Sequence, residues 1–372
     1  MMYANRMVRA TGSGQTDVGS VRDHNEDAFL VDNNLQFYIV SDGMGGHEGG
    51  EIASAEAVRC VHRCISEADP ATPIEDVVGN AIHTACREVY ALAQTPDGKY
   101  GMGCTVTALV VHAGFGVLGH AGDSRLYRSR NGVVQQISSD HTLVQRMVAA
   151  GKLKPEEAER HPKAHVLVNA VGVTEDCDVD VAIFPALPGD RFLLCSDGLS
   201  KYVETGDILA YFMAIDDSTK AAAELVKWVL EGDADDNVTV LVVDIEEFEM
   251  PSAKVDLANL DGLEKYTFQK GDVLIESGAD TDIWVVISEG SAELRRWGAV
   301  LRTLQVGDST GASAFLSPRR SRAALQATTD GAFHGIHHSA LKKLPAAKRA
   351  ALLEVLARHL AEVAQHAGIV DT

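Results

Sequence analysis

Apolar and polar positions along the first two-thirds of the chain follow two different periods. Short runs rich in β-branched, leucine and aromatic residues predict strands over 28–31, 35–40, 104–111, 117–121, 126–130, 133–137, 191–195 and 238–245. Longer stretches with a helical repeat predict helices over 50–66, 74–93, 143–150 and 219–230. Arg130-Asn131-Gly132-Val133 is a two-residue hairpin signal, because Asn-Gly accepts the positive φ values of a type I′ turn. Strands joined by hairpins, with helices grouped between them, predict an α+β chain of stacked antiparallel sheets flanked by helices.

The pattern changes after Ile245. Residues 246–254 are polar and broken by Pro251, and they read as linker. From Glu264 onward short strands are separated by glycine pairs such as Gly271-Asp272, Glu289-Gly290 and Gly307-Asp308. A helical repeat over 346–366 closes the chain, with Ala351, Leu352, Val355, Leu356, Leu360, Val363 and Ala364 on one face. The expected organisation is therefore a first domain over 1–248, a linker over 249–262 and a smaller domain over 263–372.

Composition narrows the class. The 372 residues are 46% hydrophobic and 23% charged, which is the globular range. A mean hydropathy of −0.02, with no apolar stretch of about 18 residues, predicts no membrane-spanning helix. The basic N-terminus has no apolar segment behind it, so no signal peptide is expected. Cys60, Cys64, Cys86, Cys104, Cys177 and Cys195 are thinly spread in apolar contexts and read as reduced thiols of a cytoplasmic protein.

Charge is unevenly placed. Residues 1–261 hold 41 acidic and 20 basic side chains, whereas residues 262–372 hold 12 and 13. The acidic first part argues against nucleic acid as a partner, because phosphate contacts need a basic surface. It suits divalent cations.

The acidic residues recur in one setting. An apolar run ends in Ser41-Asp42-Gly43, another in Gly122-Asp123-Ser124, and another in Ser196-Asp197-Gly198, while a fourth run follows Asp235-Asp236-Asn237. Carboxylates at the ends of buried strands are costly unless paired or bound to a cation. An adjacent glycine lets the chain turn and leaves its carbonyl as a neutral ligand. One such copy is an ordinary turn, but several, each beside an apolar run, indicate a site. An all-oxygen donor set selects Mg²⁺ or Mn²⁺ over zinc. Two such ions about 4 Å apart can share and activate a water.

Arg22-Asp23-His24-Asn25-Glu26-Asp27, Ser41-Asp42-Gly43-Met44-Gly45-Gly46-His47, Gly103-Cys104-Thr105, Gly122-Asp123-Ser124-Arg125, Ser196-Asp197-Gly198-Leu199-Ser200 and Asp236-Asn237-Val238-Thr239 resemble the ordered motif set of the PP2C-type (PPM) metal-dependent protein phosphatases, in their bacterial form. The resemblance runs from about Gly14 to Ile245. It implies a four-layer α/β/β/α sandwich and hydrolysis of phosphoserine or phosphothreonine in proteins, with Ser/Thr kinases and their substrates as partners. By position it implies that Asp42 bridges two Mn²⁺ or Mg²⁺ ions, with the Gly43 carbonyl, Asp197 and Asp236 completing the first. Glu26 and Asp27 would hold waters of the second, and Asp123 with Asp197 matches a third, weaker position. Arg22 would grip the substrate phosphate, and residues 140–172 fall where such proteins carry a mobile flap. Two positions depart from the family pattern. Lys201 stands where an aspartate commonly assists the third metal, and Met44 stands where animal members place a candidate acid, leaving that role unassigned; His24 and His47 read equally well as loop residues. A non-catalytic scaffold on the same fold is the competing reading.

Residues 268–360 resemble a cyclic-nucleotide-binding β-roll, through Gly271-Asp272-Val273-Leu274-Ile275, Trp284-Val285-Val286-Ile287-Ser288-Glu289-Gly290, Gly311-Ala312-Ser313-Ala314-Phe315-Leu316 and Arg322-Ala323-Ala324. Arg322 fits the position of the phosphate-binding arginine, but Ala312 replaces the glutamate that accepts the ribose 2′-OH. That hydroxyl would lose a charge-assisted hydrogen bond worth roughly 1.5–3 kcal/mol. The expectation is a regulatory or docking module that does not take cAMP or cGMP in the usual way. The closing helix could pack on the roll or pair two subunits.

Overall fold

The apolar runs become strands buried on both faces. In the computed structural model of the chain the residues described are 7–45, 49–69, 72–112, 114–158, 161–203, 206–248, 254–256, 260, 263–297, 299–312, 315, 319–321, 323–341, 343–346, 348–350 and 352–357. One compact unit holds residues 8–68 and 74–247, and another holds residues 248–372.

In chain order the first unit contains β1 (Met7–Asp17), β2 (Asp27–Asp32), β3 (Phe37–Met44), α1 (Gly49–Glu67), α2 (Ile74–Ala93), β4 (Gly103–Cys104), β5 (Val106–His112), β6 (Phe115–Ala121), β7 (Arg125–Arg130), β8 (Val133–Gln136), α3 (Leu143–Ala149), α4 (Pro155–Ala158), β9 (Asp180–Pro185), β10 (Arg191–Cys195), α5 (Asp197–Ser200), α6 (Gly206–Met213), α7 (Ser218–Leu230) and β11 (Val238–Phe248). One sheet has the order β1-β11-β10-β7-β8 and the other β2-β3-β5-β6-β9. Neighbours such as β10 with β11 and β7, and β5 with β3 and β6, run antiparallel. The expected α+β class and its paired antiparallel sheets are what the chain forms.

Alternation within single strands defines the layers. Phe192 and Leu194 of β10 and Leu241 and Val243 of β11 meet Tyr38, Val40, Leu109 and Leu118 between the sheets. Leu193, Cys195, Val240 and Val242 point the other way, onto Leu225, Val226 and Val229 of α7 and Leu209 and Phe212 of α6. Helices α1 and α2 cover the opposite sheet through β3 and β6. A strand covered on both sides needs apolar residues at every position, which explains the uninterrupted runs. The hairpin between β7 and β8 turns at Asn131 (φ 53°) and Gly132 (φ 78°), both in the left-handed region that an Asn-Gly pair tolerates.

The second unit contains β12 (Lys265–Phe268), β13 (Val273–Ile275), β14 (Asp280–Thr281), β15 (Ile283–Glu289), β16 (Ala292–Arg296), β17 (Ala299–Leu304), β18 (Ser309–Thr310), β19 (Arg319–Arg320), β20 (Ala324–Ala327) and β21 (Gly331–His337). They form two four-stranded sheets, β12-β21-β15-β18 and β13-β20-β16-β17, with β14 and β19 as a separate pair. Val285 and Ile287 of β15 join Leu304 and Leu325 between the sheets. Trp284 and Val286 face outward onto Phe315, Leu352 and Leu356. The helical repeat near the C-terminus is thus packed on this unit over the residues described, and its positions from Leu360 onward lie outside them. Val255 and Leu260, within the stretch read as linker, are buried in the same cluster.

Candidate active site

A cleft of about 450 Å³ opens in the first unit and is lined by Arg22, Glu26, Asp42, Asp123, Asp197 and Asp236, with Gly43, His165 and Leu167 in its wall. The carboxylates arrive from separate elements. Asp42 lies within β3, not after it as the sequence pattern suggested: the strand continues through Gly43 and Met44, which pair with Cys104 and Gly103 of β4. Thr105 fixes the Asp42 backbone on both sides, accepting its N–H on Oγ1 at 2.9 Å and donating its own N–H to the Asp42 carbonyl at 2.8 Å. Asp27 stands directly opposite Asp42 on β2. Asp197 opens α5 immediately after β10, and Asp236 immediately precedes Asn237 and β11.

Hydroxyls and amides hold this arrangement. Asp27 Oδ2 accepts from Ser196 Oγ and Thr239 Oγ1, each at 2.7 Å. Asn237 is buried and spends its whole amide on the arginine-bearing loop. Its Oδ1 accepts the Glu26 N–H at 2.8 Å, and its Nδ2 donates to the carbonyls of Val18 and His24 at 2.9 Å each. Glu26 in turn accepts the Gly43 N–H on its carbonyl at 3.1 Å. Thr105, Ser196, Asn237 and Thr239 occur inside the sequence motifs, yet their roles depend on partners more than 60 and, for the Asn237 bond to Val18, 219 residues away, and were not assigned from the sequence.

Crowded carboxylates in a protein environment resist ionisation. Desolvation, then the charges of Asp27, Asp197, Asp123 and Asp236, push Asp42 well above the usual range. Asp27 rises to about 7, chiefly by desolvation against its two hydroxyl donors. Asp123 also rises to about 7, by desolvation and then the neighbouring Asp197 and Asp140. Asp197 is raised by desolvation and Asp236, and Glu26 by desolvation.

Cations sit on one ligand only. Arg22 Nη2 lies 2.9 Å from Asp236 Oδ1, and Lys201 Nζ lies 3.6 Å from Asp236 Oδ2 and 2.6 Å from Asp235 Oδ1. The resemblance puts Lys201 at the third-metal position of Asp123 and Asp197; its close contacts are Asp235 and Asp236 instead, with Asp197 feeling its charge at longer range. Tyr202 completes this pairing through a 2.7 Å hydrogen bond from its hydroxyl to Asp235. His165, which the sequence argument did not single out, lies in the cleft wall. His47 and Arg322 lie outside the described residues.

The donor set fits a hard divalent cation. All ligand candidates are oxygens, and Asp27 Oδ1 and Asp197 Oδ1 are buried without a hydrogen-bond partner. A buried, unpartnered carboxylate oxygen is costly unless a cation compensates it. Among the described residues no three His, Cys, Asp or Glu side chains stand together in position to hold a metal ion, and Arg22 and Lys201 lie against Asp236.

Two antiparallel sheets between helical layers, carrying an acidic oxygen-lined cleft, define the class. Residues 16–230 match the protein phosphatase 2C family, and the chain belongs to it. Among its relatives is the serine/threonine phosphatase stp of Listeria monocytogenes, 35% identical over 239 residues that make up 62% of this chain and 94% of that protein. The serine/threonine protein phosphatase PstP of Mycobacterium tuberculosis is 32% identical over 246 residues, 66% of this chain and 47% of that one. The crystal structure of the M. tuberculosis phosphatase PstP/Ppp superposes with a TM-score of 0.59 at 33% identity, covering 64% of this chain and 99% of that one. A structure of the PstP catalytic domain in complex with two manganese ions gives 0.58 at 32% identity, covering 64% of this chain and all of that one.

Proposed function

We propose that the chain hydrolyses phosphoserine and phosphothreonine in proteins, with Mn²⁺ or Mg²⁺ held in the carboxylate cleft. The observation that carries this reading is the convergence of Asp42, Asp123, Asp197 and Asp236 on one cleft, with Asp27 opposite Asp42 on the neighbouring strand and two buried oxygens left unpartnered. Asp42, the Gly43 carbonyl, Asp197 and Asp236 would hold one ion, Asp42 being shared with a second whose waters Glu26 and Asp27 would orient. Asp123 and Asp197 would form a third, weaker site. Bound divalent cations supply the positive charge that polarises an attacking water and the phosphoryl oxygens.

The protein's own residues do the rest. Arg22 lines the cleft with its side chain 47% exposed and Nη2 engaged by Asp236, and its planar fork suits bidentate binding of a phosphate. Asn237 keeps that loop in register with Asp236, which places the phosphate-binding cation beside the carboxylate cluster. Ser196 and Thr239 orient Asp27 from one side and leave its other oxygen for the cluster.

Phosphorylated proteins, including Ser/Thr kinases and their substrates, are the proposed partners. The second unit is proposed as a regulatory or docking module. Ala312 is buried in its core and offers no acceptor to a ribose, which supports a module that does not bind cAMP or cGMP in the usual way. Leu352 and Leu356 are spent on the unit's own core, so a dimer through the closing helix would not be built on those two side chains. Among the described residues no helix is long and apolar enough to cross a membrane, and all six cysteines are free, in keeping with a cytoplasmic enzyme. The test is turnover of p-nitrophenyl phosphate and a phosphothreonine peptide after EDTA treatment and after Mn²⁺ addition. Activity that EDTA abolishes and Mn²⁺ restores is expected; equal activity in both would contradict the reading.

A further inference from the structure

His141 lies outside the carboxylate cleft, yet it joins two of the cleft's parts. Its backbone N–H donates to the Gly122 carbonyl at 2.7 Å, and its own carbonyl accepts the Val168 N–H at 2.9 Å. Next to it, Thr142 bridges antiparallel to Leu167, and the Leu143 N–H reaches the Val166 carbonyl at 2.8 Å. Gly122 immediately precedes Asp123, and Leu167 and His165 belong to the cleft wall.

The side chain repeats the connection. It is 13% exposed, and its Nδ1 lies 3.3 Å from the Gly122 nitrogen and 2.7 Å from Asn169 Nδ2. The Asn169 amide is oriented by Asp178, whose N–H it accepts at 3.0 Å and whose carbonyl it donates to at 2.7 Å. Both neighbours of Nδ1 are therefore donors, so Nδ1 accepts and the ring proton sits on Nε2, 3.1 Å from Asp180 Oδ2. The buried His120 ring packs against it at 4.9 Å, fixing its inner side. Gly122 has little room to give. Its φ is +116°, and the Thr105 side chain stands 2.6 Å from where a Cβ would lie.

We propose that His141 is a positioning residue: its single Nδ1 lone pair accepts chiefly the Asn169 N–H and more weakly the Gly122 N–H, and together with its backbone bonds to Gly122 and Val168 this holds the Gly122-Asp123 turn and the wall carrying His165 and Leu167 in one fixed arrangement. The proposal rests on the phosphatase reading for its kinetic consequence, but not for its structural one. A wall held at a set distance from Asp123 and Arg22 presents a preformed cleft to a phosphorylated peptide; a loosened wall must be ordered each time a substrate binds.

Two substitutions in the full-length chain separate this role from simple packing. Asparagine places its Oδ1 near the position of Nδ1 and keeps the acceptor, whereas glutamine reaches the Nε2 position and loses it. The measurements are amide hydrogen exchange over residues 161–169 and kcat and KM for a phosphothreonine peptide with Mn²⁺. For His141→Gln we expect roughly tenfold faster exchange in that stretch and a roughly tenfold higher KM, with kcat changed less than about threefold. His141→Asn restores both quantities to near wild type. Wild-type exchange and KM in His141→Gln, identical behaviour of the two variants, or an even rise in exchange across residues 8–247 would each overturn the proposal. If the wild-type chain has no turnover, the phosphatase reading falls, and the exchange of the two variants still decides the role of His141.

Discussion

Replacing Asn237 by alanine is the perturbation whose size follows most directly from the geometry. The buried amide makes three hydrogen bonds of 2.8–2.9 Å, to the Glu26 N–H and to the carbonyls of Val18 and His24. At about 1 kcal/mol net for each, the loss is about 3 kcal/mol, and the Glu26 N–H left without a partner keeps the figure from shrinking. For a unit of this size 1 kcal/mol corresponds to about 2–4 °C, so the melting temperature of the first unit should fall by about 6–12 °C. The assay is calorimetry of the full chain in EDTA, which removes the stabilisation that a bound cation would add. Because the same amide holds the loop bearing Arg22, KM for a phosphopeptide should rise together with the loss of stability. A melting temperature within 2 °C of wild type and an unchanged KM would refute the assignment of Asn237 as the clamp on that loop.

Three further outcomes are expected. Lys201 puts a positive charge 3.6 Å from Asp236 and acts on Asp197, so Lys201→Asp should raise the Mn²⁺ stoichiometry measured by calorimetry; identical titrations would show that the lysine does not govern occupancy. Arg22→Ala should raise KM for a phosphopeptide several-fold more than it lowers kcat, because a phosphate contact is made in both ground and transition states; an unchanged KM would make Arg22 purely a partner of Asp236. Asp27 and Asp123, raised to about 7 by desolvation and neighbouring carboxylates, bind protons in the folded unit at pH values where the unfolded chain has released them. Their contribution to stability is full below about pH 4 and is lost as pH rises towards 7, so the first unit in EDTA should melt lower at pH 7.5 than at pH 5, and a flat profile would contradict those shifts.

Much of this arrangement was legible in the sequence, and the illegible parts have physical causes. Strand 191–195 and helix 74–93 were read with the boundaries they have, because one is an unbroken apolar run after Arg191 and the other is a long amphipathic repeat. Strand β1 was not anticipated. It is built from small and polar residues, and Gly12 and Gly14 leave room for the rings of Tyr38 and Phe29 to lie against the backbone. A strand that receives side chains from its neighbours, instead of supplying them, carries no apolar signature. Strand β9 was also not anticipated, although Val181-Ala182-Ile183-Phe184 is an apolar run; it lies at the sheet edge with Val181 and Ile183 exposed. The carboxylates were legible because each sits beside an apolar run. The hydroxyls and amide that orient them were not, since Ser196, Thr239 and Asn237 act on residues more than 160 positions away.

The proposed function makes the carboxylate cleft a cation-dependent phosphatase centre organised around Asp42. The most direct measurement is turnover of a phosphothreonine peptide by the wild-type chain and by Asp42→Asn, each with saturating Mn²⁺ and with EDTA, alongside a melting curve of both proteins. Mn²⁺-dependent turnover is expected in the wild type, with a loss of orders of magnitude in Asp42→Asn. The variant should remain folded, because the carboxylate it loses is one that burial and four neighbouring carboxylates already disfavour. Near-wild-type turnover by a folded Asp42→Asn protein would contradict it.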